Sequence, residues 1–382
     1  MSSENMHAYQ VADGRAVTRA SRVAVPVGTA PAHVGTSQTY WLFSPSVDLS
    51  VFLGSALVAL MLLWIGARAG VLNGSSPEWA WAPAVLLIDV AHVYATGFRV
   101  YFDKDELKRK PWLYALAPAL GYVVGVALYS ESDMLFWRAL AYLAVFHFVR
   151  QQYGWVALYR SRRGEKSRTG WWIDTAAIYL ATVYPLVYWH SNLPRQFWWF
   201  LPNDFASLPH VAAQIVKPFY WLALLLYAVN ALYRWIVKGE VNPGKDIVVA
   251  TTAICWYVGI VAYNSDYAFT VTNVIIHGVP YFALVYWYAR MRRSETNSKT
   301  YRFLSSNLII FVLTLWLLAY VEEMFWHRSV WHDRAWLFGG TWDVQALKVL
   351  LVPLLALPQL IHYVLDGFIW RRKSNPSFRL IN

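Results

Sequence analysis

Four histidines, His92, His147, His277 and His362, sit inside apolar stretches long enough to cross a membrane. Each has a strongly polar neighbour three or four positions away: Asp89 before His92, Gln151 after His147, Asn273 before His277 and Asp366 after His362. On a helix that spacing puts each pair on one face. Ionisable groups in hydrocarbon are costly, which makes each of them a functional-site hypothesis. Neutral imidazole is a ligand for iron, zinc, copper and nickel, and carboxylates complete harder, oxygen-reactive centres. Asp89-Val90-Ala91-His92 and His362-Tyr363-Val364-Leu365-Asp366 let each carboxylate ligate directly or orient a histidine from behind. The pattern predicts a metal centre built from His92, His147, His277, His362, Asp89 and Asp366, holding one or two iron ions. Haem fits less well, because none of these helices carries a second histidine on the same face.

The elements that must position these residues follow from composition. The chain has 382 residues, 58% hydrophobic and 14% charged, against roughly 25% charged in soluble domains. With 22 Trp and 25 Tyr to anchor helix ends, this predicts an all-α, polytopic integral membrane bundle. Apolar runs place about ten spans, near 48–68, 79–102, 112–130, 135–159, 171–190, 211–236, 246–264, 267–290, 303–321 and 343–370. Residues 1–42 read as a disordered tail without an apolar leader, 43–371 as the helical domain and 372–382 as a basic tail. Cys255 is the single cysteine, so an internal disulfide is excluded and a thiolate metal site is not expected.

Charge placement orients the bundle. Of the 33 Lys and Arg, 24 fall in the two tails or in and beside the loops after even-numbered spans, and seven towards the other side. The positive-inside rule then makes both termini cytoplasmic, in a plasma or inner membrane. The net charge of +11 is scattered between apolar runs, so no nucleic-acid partner is expected. All four histidines lie on even-numbered spans, roughly 14 to 20 Å from the first cytoplasmic charge at about 1.5 Å per residue. They share one layer and meet if those spans are neighbours.

Below this layer Arg99 and Arg150 are candidates to clamp the anionic head of an amphiphile, with Gln151 and Asn273 as further substrate contacts. The plainer alternatives are an Arg99–Asp103 pair and an Arg150 that reaches the interface. His190, His210, His327 and His332 are expected to be solvated in or near outer loops, and Glu322 and Glu323 to mark the outer water boundary. The segment Glu322 to Trp342 is expected to lie along that interface as a short amphipathic lid.

At the level of architecture the chain is similar in kind to membrane non-haem iron enzymes such as fatty-acid desaturases, alkane hydroxylases and bacterial carotene-cleaving oxygenases. The paired H-x-x-x-H and H-x-x-H-H boxes of the first two occur nowhere in it, so no residue role is carried over. The expected function is a non-haem iron oxidoreductase acting on a fatty acyl, isoprenoid or carotenoid taken from the bilayer, with an electron-transfer partner on the cytoplasmic side. The alternatives are a proton-coupled transporter using the same His, Asp and Arg residues, and a membrane scaffold or assembly factor. Walker-type phosphate loops, G-x-S-x-G and H-E-x-x-H are missing.

Overall fold

Each of the ten apolar runs forms a helix. The computed structural model describes residues 40–73 and 76–371, and the described residues hold helices and no strand. The long helices are α1 (Pro45–Arg68), α2 (Glu78–Arg99), α3 (Pro111–Glu131), α4 (Asp133–Arg162) and α5 (Arg168–Ser191). They continue with α6 (His210–Lys238), α7 (Pro243–Ala262), α8 (Asp266–Arg292), α9 (Leu308–Trp331) and α10 (Gln345–Ile369). Eight are long and apolar enough to cross a membrane; α4 and α5 are long enough but more polar. The chain thus has the helices of a multi-pass membrane protein. The two tails, apart from residues 40–42, lie outside the described residues.

Helix starts follow from side chains that can accept from orphaned backbone N–H groups. Ser44, Ser132, Ser167, Asn242, Ser265 and Asn307 cap α1, α4, α5, α7, α8 and α9 in this way. Two of the histidine-bearing helices contain a wider π-helical stretch just before the histidine, Ala82–Val90 in α2 and Thr270–Val274 in α8. Such insertions re-aim side chains and recur at functional sites. α10 breaks at Ala356, next to Pro358, so its last part restarts at Leu357 before delivering His362.

Helices α2, α4, α8 and α10 form a closed ring of neighbours, α2 and α4 each touching both α8 and α10. The approach of α2 to α8 depends on Gly278, where an added Cβ would stand 2.5 Å from the Ile88 side chain and 3.3 Å from its carbonyl oxygen. Gly259 does the same between α7 and α8, where a Cβ would meet Thr272 Oγ1 at 2.0 Å.

Two expectations at the bundle ends need correction. α9 runs on through Trp331, so the first half of the expected lid continues the span, and the rest holds only the short helix Ala335–Phe338. Glu322, Glu323 and His327 are accordingly buried, at 5%, 8% and 3% exposure, and His190 is buried between the Leu186 carbonyl and the Tyr142 hydroxyl. The apolar run simply outlasts the charges within it. Packing on α2 and α10 then encloses them.

The end of the bundle carrying the Lys/Arg clusters is tied by ion pairs. Glu165, in the α4–α5 turn, accepts from Arg234 (2.8 Å), Lys245 (2.9 Å) and Asn242 (2.7 Å), and Arg160 and Lys245 both reach Asp174. Burial alone would raise the Glu165 pKa, but these donors outweigh it and hold the carboxyl at about 2. A depressed carboxyl stabilises the fold above its ordinary 4.5, and that contribution fades as pH falls towards about 2. Glu165→Gln should therefore lower Tm by about 2–4 °C or more near neutral pH. The gap to wild type should close on acidification through that window, as thermal unfolding in detergent will read. Gly278→Leu should cost more, at every pH, by prising α2 from α8.

Candidate metal centre

The ring of helices α2, α8, α4 and α10 carries a ring of imidazoles. Neighbouring ring centroids lie 4.6 Å apart for His92–His277, 5.2 Å for His277–His147, 4.5 Å for His147–His362 and 4.8 Å for His362–His92. His92 Nε2 is 3.0 Å from His277 Nε2, and His362 Nε2 is 3.1 Å from His147 Nε2. One ligand nitrogen from each of the four falls within 4.8 Å of all the others, and every ring is at most 4% exposed. A buried group of four converging imidazoles can hold a metal ion. Two nitrogens about 2.1 Å from one ion stand about 3.0 to 3.4 Å apart at bond angles of about 90 to 109°, and the two short contacts match that spacing.

The far edges of the rings meet a supporting layer. His362 Nδ1 is 2.7 Å from Thr96 Oγ1. Asp366 stands astride two rings, with Oδ1 3.8 Å from His362 Nδ1 and Oδ2 3.9 Å from His147 Nδ1. The Tyr281 hydroxyl and the Trp370 indole hold Asp366 in place, at 2.7 and 3.2 Å. His277 has no partner on Nδ1; Phe148 stacks on its ring at 3.5 Å and 9°. Sequence explains the order of this layer. In α2, α4, α8 and α10 the residue four positions after the histidine is Thr96, Gln151, Tyr281 and Asp366, one turn nearer the basic end on the same face. Polar groups behind metal-binding histidines fix ring orientation and tautomer.

The other expected site residues are distributed as follows. Asp89 Oδ1 is 3.6 Å from His92 Nδ1, so both carboxylates meet the outer edges of the rings and lie outside the four converging nitrogens. Gln151 donates to the His277 carbonyl at 3.2 Å, fastening α4 to α8. Asn273 donates to Phe269 O and Thr272 Oγ1 and faces Gly259 of α7. Arg99 and Arg150 do not form a clamp. Arg99 is 1% exposed and engages Glu106 (3.3 Å), the Tyr288 hydroxyl (3.3 Å) and the Ile369 carbonyl (3.2 Å).

The pair expected between Arg99 and Asp103 is not made, because Asp103 caps the short helix Lys104–Arg109 and receives Arg292 at 2.7 Å. Arg150 is exposed and turns the other way, to Tyr179 and the Tyr153 ring. Thr96, Phe148, Tyr281 and Trp370 went unread in the sequence, since hydroxyl and aromatic residues are common in membrane helices. Their one signal was position: Thr96 and Tyr281 recur four residues after a histidine.

Thr96→Val removes the donor–acceptor partner of His362 while keeping shape. It should weaken metal retention about 10- to 100-fold with little change in Tm, read by chelator competition followed by elemental analysis. Among known proteins, no family model matches this chain, no curated protein is detectably similar in sequence, and no solved structure matches its fold.

Proposed function

We propose that the protein is a multi-pass membrane oxidoreductase whose non-haem metal, iron, is held by His92, His147, His277 and His362. The reading is carried by the convergence of four buried imidazole nitrogens from four separate helices. Four imidazole ligands would hold the ion and would leave further coordination positions for reactants. Iron held there supplies one-electron redox chemistry and oxygen activation. Nitrogens this close together leave no space for a haem macrocycle between them, and both carboxylates lie outside the ring, which favours one ion over two.

The chain's own groups do the rest. Thr96 sets the tautomer of His362, Asp89 and Asp366 place negative charge 3.6 to 3.9 Å from the outer edges of His92, His147 and His362, and Tyr281 and Trp370 fix Asp366. Phe148 and Tyr363 line the rings with apolar surface that keeps out water. A substrate for such a centre is lipophilic, a fatty acyl, isoprenoid or carotenoid reaching it from the bilayer. Because Arg99 is already committed, Arg150 is the residue left for any anionic head. We further read α4 and α5 as spans. α4 has 30 residues, about 45 Å at 1.5 Å per residue, and the polar residues that lower its hydropathy include His147 and Gln152, which point inward. Ten spans with the basic end in the cytoplasm put both termini there, and an electron donor would dock at that end.

Purified protein should contain close to one iron per chain by elemental analysis, and His147→Gln should lose most of it. Trace metal only in wild type would overturn the proposal. Unchanged metal in His147→Gln together with altered proton-coupled flux in vesicles would turn the reading towards a transporter.

A further inference from the structure

On the side of the cluster away from the basic end lies a second set of buried polar groups that the histidine ring does not use. Glu322, Glu323 and His327 occupy successive positions on the inward face of α9. Glu322 Oε1 accepts from the Trp326 indole (3.2 Å) and from Gln359 (3.5 Å), the Tyr94 hydroxyl stands beside the carboxyl, and Oε2 is buried with no hydrogen bond within normal distance and angle. Glu323 Oε2 is 3.2 Å from His327 Nε2, and His327 Nδ1 is 3.3 Å from Asp333 Oδ1, which is exposed. At the inner end Asp89 lies within electrostatic reach of Glu323, and Tyr363 within reach of both Asp89 and Glu322. Asp89 in turn touches His92. Asp89 keeps 34% of its side chain accessible. Among the described residues none of Asp89, Glu322 and Glu323 pairs with Lys or Arg.

An ion bound for the histidines needs a path. The hydrocarbon-facing flanks exclude a bare dication, whose transfer out of water is prohibitive. The basic end places the Arg99 and Arg292 guanidinium groups on that side of the centre. The opposite end offers oxygen and imidazole donors in series, each a ligand type that divalent transition metals exchange between. We propose that Asp333, His327, Glu323, Glu322 and Asp89 form the loading route by which a divalent transition-metal ion reaches the four histidines. This inference rests on the metal-centre reading above. Arg334 stands at the outer mouth, paired with Glu78 (2.9 Å) and Asp333 (3.3 Å) and lying over the Trp81 ring at 3.7 Å. An arriving dication must displace its guanidinium from Asp333.

The test uses full-length protein in detergent, expressed in metal-depleted medium, and Co2+ alone as the probe. Uptake is followed by the visible absorption of the bound ion and by metal content after rapid desalting. Glu323→Gln and His327→Ala should each slow uptake about tenfold or more while reaching the wild-type final content, and Arg334→Ala should speed it. Asp105→Asn, exposed at the basic end, serves as the control and should match wild type. Wild-type rates in both Glu323→Gln and His327→Ala, with full final content, would overturn the route and leave the metal centre standing. Lowered final content at an unchanged rate would also overturn it, by making these residues permanent ligands or fold determinants; Glu322→Gln, measured alongside, guards against a misfolded single variant. Wild-type protein that takes up no Co2+ would instead sink the underlying metal reading.

Discussion

Everything near the centre answers one constraint: a polar atom buried inside an apolar bundle must find a partner within the protein. An unmatched buried donor or acceptor costs about 1–3 kcal/mol, so four imidazoles cannot be tolerated singly. They are gathered. Their inner nitrogens face one another at 3.0 and 3.1 Å, and three of the four outer edges meet Thr96, Asp89 or Asp366. The close approach at Gly278, the widened turns before His92 and His277 and the unusual polarity of α4 all serve that gathering. α4 is a poor membrane helix by composition because its inward face is spent on the site.

The two ends of the bundle solve the same problem differently. At the basic end buried cations and anions alternate, and Glu165 accepts from Arg234, Lys245, Asn242 and Arg160. At the other end the acids outnumber their partners, and one oxygen of Glu322 has no hydrogen bond within normal distance and angle. A fully matched ionic network reads as structure. An incompletely matched acidic group beside four imidazoles does not serve the fold in that way.

The helices were legible because hydrocarbon-length apolar runs leave little choice of conformation, and every expected run holds one. The histidines were legible for the same reason, since a titratable side chain stands out in such a run. What could not be read was which faces meet. Asp103 is four residues from Arg99 and looked like its partner, yet the chain brings Glu106 to Arg99 and Arg292 to Asp103. Glu322 and Glu323 looked like a boundary because charges usually end a span. Burial against α2 and α10 is a tertiary fact, invisible to a local pattern. Likewise Thr96 and Tyr281 are ordinary residues until the fold shows what stands behind them.

The paired histidines are 185 residues apart for His92 and His277, and 215 for His147 and His362. No two share a helix, so no one helix or hairpin holds more than one of the four. Until α10 docks, the other three imidazoles lack their fourth neighbour. A full ring of four imidazoles therefore exists only once the whole bundle has closed, so the cluster doubles as a mark of completed assembly.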